Sequence, residues 1–289
     1  MKWFLLIIVS VFSLASCNLS DNTAKEQDNE FKGSLFIIGG GSRPDHLVNR
    51  MIDEANLRNE GYAVILPMSS SVADSAIIWA SEQFYRNRIE NITGFNFLPG
   101  GDRPLHWIDS IKNASLIYIS GGDQNRFMAI AGENEIEEAI HHAYKNGAVI
   151  AGTSAGAAVM SELMITGDEL RYPDYTSTFR TIESDNIKIG RGLGLVNTAI
   201  IDQHFVYRSR HNRLFTAVIE YPDQMGIGID ESTALLIKGN EAEVVGESQV
   251  MVFKNPDNSY KEKNIKLGAL NLQVDIYLPG EKFPMISHK

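Results

Sequence analysis

From residue 31 onward the chain alternates short, nearly continuous apolar runs with longer amphipathic stretches. Apolar runs at 34–38, 63–67, 115–119 and 148–151 end in Gly39-Gly40-Gly41, Met68-Ser69-Ser70-Ser71, Ser120-Gly121-Gly122 and Gly152-Thr153-Ser154. Runs that skip the polar alternation of a half-exposed strand are what a parallel sheet covered on both faces requires. The stretches at 45–59, 75–88, 126–146 and 157–164 read as helices. Strands alternating with helices predict βαβ units, and so an α/β fold: a doubly wound, mostly parallel sheet with helices on both faces. Ligands of such sheets collect at the carboxyl ends of the strands, where these Gly/Ser turns lie. Past residue 241 the rhythm shifts to short β-like stretches at 242–245, 249–253 and 274–278, with Asn255-Pro256-Asp257-Asn258 as a turn. This predicts one domain over 31–289, with its core at 31–246 and a short C-terminal β extension at 247–289.

The first thirty residues break the pattern. Lys2 precedes an apolar run from Trp3 to Leu14 interrupted only by Ser10 and Ser13, followed by Leu14-Ala15-Ser16-Cys17. A charged start, a short apolar stretch and small residues at a cleavage point read as a secretory signal over residues 1–16. The run falls short of the roughly 20 residues a membrane-spanning helix needs. Leu-Ala-Ser-Cys resembles a bacterial lipoprotein lipobox, which implies lipidation of Cys17. Residues 17–30, polar and free of aromatics, then read as a flexible tether holding the domain off a membrane. The expectation is a protein exported across the cytoplasmic membrane and lipid-anchored there, in the periplasm or at the cell surface.

Composition narrows the classes of function. The 289 residues are 44% hydrophobic and carry a formal net charge of −10, which fits a folded globular protein with no basic surface for a nucleic-acid backbone. One cysteine excludes an internal disulfide framework and a multi-cysteine metal centre.

The chemistry concentrates at Gly152-Thr153-Ser154-Ala155-Gly156, an apolar strand before it and a run of small residues after it. A sharp strand-to-helix turn exposes the serine hydroxyl, and glycines two residues to either side make room for that turn. The helix N-terminus aims free amides at the same place, so the Ala155 N–H is positioned to hold an oxyanion. The Gly-Lys-Ser/Thr ending of a phosphate loop is missing, and Gly39-Gly40-Gly41 lacks the later glycine of a dinucleotide fingerprint.

A serine nucleophile needs a base and an acid that orients the base. Of seven histidines, His204 stands at the end of an apolar run, in Asp202-Gln203-His204, on the edge where Ser154 belongs. Asp230 or Glu231 reaches the same edge after Gly226-Ile227-Gly228-Ile229, and Asp168 follows Ile165-Thr166-Gly167; spacing does not choose among them. Arg208, Arg210 and Arg213 place three guanidiniums within six residues of an acidic chain, beside the proposed base, where they suit a substrate carboxylate. Gly121-Gly122-Asp123-Gln124 supplies a backbone amide at Gly122 for the oxyanion and a side-chain amide at Gln124 for substrate.

Four ordered motifs carry a family resemblance: Gly121-Gly122-Asp123-Gln124, Gly152-Thr153-Ser154-Ala155-Gly156-Ala157, Asp202-Gln203-His204-Phe205 with the three arginines, and Gly228-Ile229-Asp230-Glu231-Ser232-Thr233-Ala234. Together, over residues 31–246, they resemble the cyanophycinase family of serine peptidases related to aspartyl dipeptidase (peptidase E). The resemblance implies Ser154 as nucleophile, His204 as base and Glu231 as its acid, with Asp168, where the peptidase E branch has a relay acid, as the alternative. It also implies that Gln124, Asp202, Gln203, Arg208, Arg210 and Arg213 bind substrate, that no cofactor or metal is needed, and that a homodimer is compatible. The substrate implied is multi-L-arginyl-poly-L-aspartate, cut at β-linked aspartyl units to release β-aspartyl-arginine dipeptides. The alternatives are an exopeptidase for short aspartyl or isoaspartyl peptides and a lipoprotein that binds an acidic peptide without cutting it. The segment from Leu170 to Arg180, aromatic and polar, is a departure that bears on which polymer fits.

Overall fold

The computed structural model describes residues 32–59, 61–174 and 176–286. The expected signal, lipidation site and tether at 1–30 lie outside the described residues. The chain enters through β1 (Ser34–Ile38), α1 (Asp45–Glu54), β2 (Ala63–Leu66), α2 (Ala73–Arg86), β3 (Ile92–Gly94), α3 (Leu105–Lys112) and β4 (Leu116–Ile119). It continues through α4 (Gln124–Ala131), α5 (Glu135–Lys145), β5 (Val149–Thr153) and the single turn α6 (Ala155–Ala158). Strands β1, β5, β4, β2 and β3 pair side by side in parallel, and every residue of β1, β2, β4 and β5 is buried. Burial on both faces is why these runs lack polar alternation. Phe36, Ile38, Ile65 and Tyr118 point toward α1 and α2, whose buried faces include Leu47, Met51 and Phe84; Leu35, Ile37, Leu66 and Ile117 pack toward α3–α5.

Beyond α6 the fold departs from simple winding. The chain forms β6 (Leu163–Glu169), β7 (Ile187–Arg191), β8 (Ala199–Gln203), α7 (His211–Glu220), β9 (Met225–Ile229), β10 (Thr233–Lys238) and β11 (Glu241–Gly246). It ends in β12 (Val250–Lys254), β13 (Lys261–Lys263), β14 (Lys266–Gly268), β15 (Gln273–Tyr277) and β16 (Lys282–Pro284). The main sheet runs β16-β11-β10-β1-β5-β4-β2-β3, with β10, β11 and β16 joining antiparallel; β15-β12-β9-β8 is a second sheet. One face of that second sheet, with Ile201, Ile227 and Val252, merges into the core of the main sheet, while Ile200 and Phe253 on the other face pack under Leu214 and Val218 of α7.

Three expectations change. The helix expected over 126–146 is two helices, because Gly132 ends α4 and the Asn134 side chain caps α5 by accepting the Ile136 N–H at 3.0 Å; glycine is a poor helix interior residue and asparagine a good cap. The helix expected over 157–164 is only the turn at 155–158: Ser161 bridges to Val196 and its Oγ accepts the Ile201 N–H at 2.9 Å, drawing the chain into extended pairing. The C-terminal strands do not form one extension, since β12 and β15 widen the second sheet while β16 closes the edge of the first.

Candidate active site

The turn after β1 organises the site. Three successive carbonyls, those of Ile38, Gly39 and Gly40, accept the backbone N–H of Ser154 (3.1 Å), His204 (2.7 Å) and Ser232 (2.9 Å). One turn thus holds the ends of β5, β8 and β9, which belong to two different sheets. A Cβ at Gly39 would meet the Asp230 carbonyl oxygen at 2.1 Å, one at Gly40 the His204 ring at 2.3 Å, and one at Gly41 the Glu231 side chain at 2.7 Å. In sequence this triplet is one of the strand-end turns at the ligand edge and lacks a dinucleotide fingerprint; neither feature announces that it holds three other strand ends. Its usable signal was three glycines in a row at the edge where the motifs converge.

Ser154 sits at φ 54°, ψ −111°, between β5 and α6. The tight approach expected of its flanking glycines is present: a Cβ on Gly152 would lie 2.2 Å from the Gly156 oxygen, and one on Gly156 would lie 2.3 Å from the Ile119 oxygen. Ser154 Oγ is 2.9 Å from His204 Nε2, and His204 Nδ1 is 2.6 Å from Glu231 Oε1. With a proton on Nδ1 donated to Glu231, Nε2 is left as acceptor for the serine hydroxyl. Burial is the largest influence on His204 and holds its pKa below the usual 6.5; the Glu231 carboxylate pulls upward, while Arg208 and Arg210 push down. The neutral imidazole, the form able to accept a proton, is favoured. Ala155 opens α6, so its N–H has no acceptor within the helix.

Of the two other acids weighed, Asp230 performs a different task. Its Oδ1 accepts the N–H groups of Val206 (3.1 Å) and Tyr207 (2.9 Å), and its Oδ2 accepts the Ser248 hydroxyl (2.8 Å), fixing the turn that follows His204. Asp168 stands on β6 with its carboxylate 3.2 Å from Lys188 Nζ of β7. The imidazole is met by Glu231.

A cleft of ≈ 230 Å³ opens beside Ser154, and Gly122, Gln124, Asp168 and Gln203 line it together with Arg208, Arg210 and Arg213. The residues expected to bind substrate divide in two. Asp202 is fully buried beneath the cleft, where Arg213 grips it through Nε–H to Oδ2 at 2.6 Å and Nη2–H to Oδ1. Arg210, also buried, donates to the backbone oxygen and to Oε1 of Gln203, both at 2.8 Å. All three expected arginines line the cleft, and two of them, Arg210 and Arg213, also tie α7 and its lead-in to the end of β8. Gln124 spends its Nε2 on the Ile165 and Thr166 carbonyls, at 3.0 and 2.7 Å. Arg208 has no side-chain partner among the described residues.

The profile of peptidase family S51 matches residues 35–245. The chain is 33% identical over 181 residues to the cyanophycinase of Trichormus variabilis, a match covering 60% of this chain and 58% of that protein. It is 23% identical over 194 residues to peptidase E of a Nostoc species, covering 62% of this chain and 73% of the relative. The chain therefore spans little more than half the length of the cyanophycinase it matches. Among solved structures, a peptidase from an acI-B1 actinobacterium superposes with a TM-score of 0.61 at 20% identity, over 89% of this chain and 98% of that one, which shows the shared α/β fold. The profile runs from β1 to β11 and takes in every strand end that meets at Ser154; the chain belongs to peptidase family S51.

Proposed function

We propose that the protein is a serine peptidase that cuts aspartyl peptide bonds by way of Ser154, His204 and Glu231. The observation that carries the reading is the continuous chain from Glu231 Oε1 through the His204 ring to Ser154 Oγ at the edge of a cleft holding Arg208. Ser154 Oγ attacks the scissile carbonyl carbon while Nε2 takes its proton, and the resulting imidazolium is stabilised by Glu231. The N–H groups of Ala155 and Gly122 hold the oxyanion. His204 then protonates the leaving amine, and a water, deprotonated by the same nitrogen, releases the acyl group.

For substrate we favour β-linked aspartyl units of multi-L-arginyl-poly-L-aspartate, released as β-aspartyl-arginine. The supports are the identity to cyanophycinases and an open guanidinium in the cleft for a neighbouring carboxylate. Short aspartyl peptides are the second reading, supported by the peptidase E relative and by a cleft volume suited to a short substrate. Comparing release from the polymer with release from aspartyl dipeptides separates them. Ser154→Ala should lower turnover by about 10³-fold or more with the fold intact. Near wild-type turnover in that variant, or no labelling of the unaltered protein by a small fluorophosphonate, would point instead to a lipoprotein that binds peptides without cutting them. We further propose export and lipid anchoring through Cys17, on the strength of its place after Leu14-Ala15-Ser16 and its being the chain's sole cysteine.

A further inference from the structure

The cleft beside Ser154 carries more charge than the relay uses. Asp202 is bound by Arg213, and Arg210 by Gln203. Asp123 caps α4, its Oδ1 accepting the Asn125 N–H at 2.8 Å and the Arg126 N–H at 3.4 Å. Of the charged residues lining the cleft, Arg208 has no side-chain partner among the described residues, Asp123 is engaged through Oδ1 in its cap, and Asp168 is held by Lys188 of β7. Lys188 is the ion-pair partner of Asp168, but both side chains are about half exposed, at 50% and 49%. A pair so solvated contributes little and yields readily to a competing cation.

The backbone around Asp168 is built to present it. The pairing of β6 with β7 shifts register between Ile165 and Glu169, a bulge of the kind that re-aims a side chain. The bulge is pinned to α4 by the buried Gln124 amide, and Asn125 Nδ2 adds a bond to the Thr166 carbonyl at 3.3 Å. A relay acid would have to reach His204, and Glu231 already occupies Nδ1.

We infer that Asp168 is a specificity-determining residue that binds the positively charged group of the substrate, an ammonium or a guanidinium, in the same cleft where Arg208 takes a carboxylate. The inference rests on the peptidase reading and gives its substrate a chemical form: a peptide with an anion and a cation near the scissile carbonyl. Lys188 competes for the same carboxylate, so its removal strengthens the subsite.

The test is calorimetric binding to full-chain Ser154→Ala protein, which leaves the peptide uncut. The probes are aspartyl-arginine, its N-acetyl derivative, and the analogue with citrulline for arginine. Blocking the cation that sits on Asp168 should weaken binding by about 10-fold or more, as loss of a charge-assisted bond does; the amine is identified by the acetylated probe, the guanidinium by the citrulline probe. Adding Asp168→Asn should bring the parent peptide down to that neutral analogue and leave the analogue unchanged, while adding Lys188→Met should tighten the parent. Equal weakening of all three peptides by Asp168→Asn, no change in any, or no binding of any would overturn the inference. Hydrolysis is measured separately with Ser154 in place. Cation-dependent binding with no cleavage of either the arginyl-aspartate polymer or the aspartyl dipeptides would refute the peptidase reading and keep the subsite.

Discussion

Two members of the relay hold backbone conformations that side chains normally avoid. Ser154 and His204 have φ of 54° and 49°, in the left-handed region, at a cost of about 1–3 kcal/mol each. The turn after β1 supplies the compensating bonds, through the Ile38 and Gly39 carbonyls, and Asp230 fixes Val206 and Tyr207 in the turn that follows His204. Glu231 supports the ring electrostatically as well as by position, so Glu231→Gln should lower kcat by about 10³-fold with little change in KM, whereas Asp168→Asn should act mainly on KM. The same substitution has a signature in the pH profile. A buried His204 already titrates below 6.5, and activity needs its neutral form, so the acidic limb of kcat/KM lies below that value and rises with pH. Removing the carboxylate that pulls the pKa up should move the limb lower still; a limb that stays in place or moves up would show that Glu231 does not act on this ring.

At the scale of elements, the site depends on β8 and β9 standing at the right distance from β5, although they pair in another sheet. Hydrogen bonds to the turn after β1 make that join on one side, and α7 braces it on the other through Arg213 and Asp202. The carboxylate is wholly buried, with Arg210 Nη1 at 3.7 Å, so removing Arg213 takes away both of its guanidinium hydrogen bonds and leaves the charge underpaired away from water. Arg213→Met should destabilise the fold by about 3–5 kcal/mol, read as a lower urea midpoint, and adding Asp202→Asn should recover part of that loss because the underpaired charge is gone. If Arg213→Met unfolds at the wild-type midpoint, the pair is not a brace. The β6–β7 hairpin differs in kind, since its contribution is to the shape and charge of the cleft.

For the whole molecule, the proposed anchor leads to a measurement in cells: labelled palmitate should enter the full chain, and Cys17→Ser should abolish incorporation and move the protein from the membrane to the soluble fraction. Much of the architecture was legible in order along the chain. Four apolar runs became β1, β2, β4 and β5 because a strand buried on both faces leaves a continuous apolar stretch, and the elbow at Ser154 was legible because its turn demands glycine at fixed local spacing. The runs ending at Ile201 and Ile229 are apolar like the others, and nothing local announces that they pair with each other in a second sheet. Local composition and spacing therefore determined where strands, turns and the proposed nucleophile fall. Tertiary structure decided which acid meets His204, which arginines are consumed by Asp202 and Gln203, and that Gly39–Gly41 underlies the relay. Those outcomes depend on which residues distant in sequence come within hydrogen-bond reach, and pairing between sheets sets that distance.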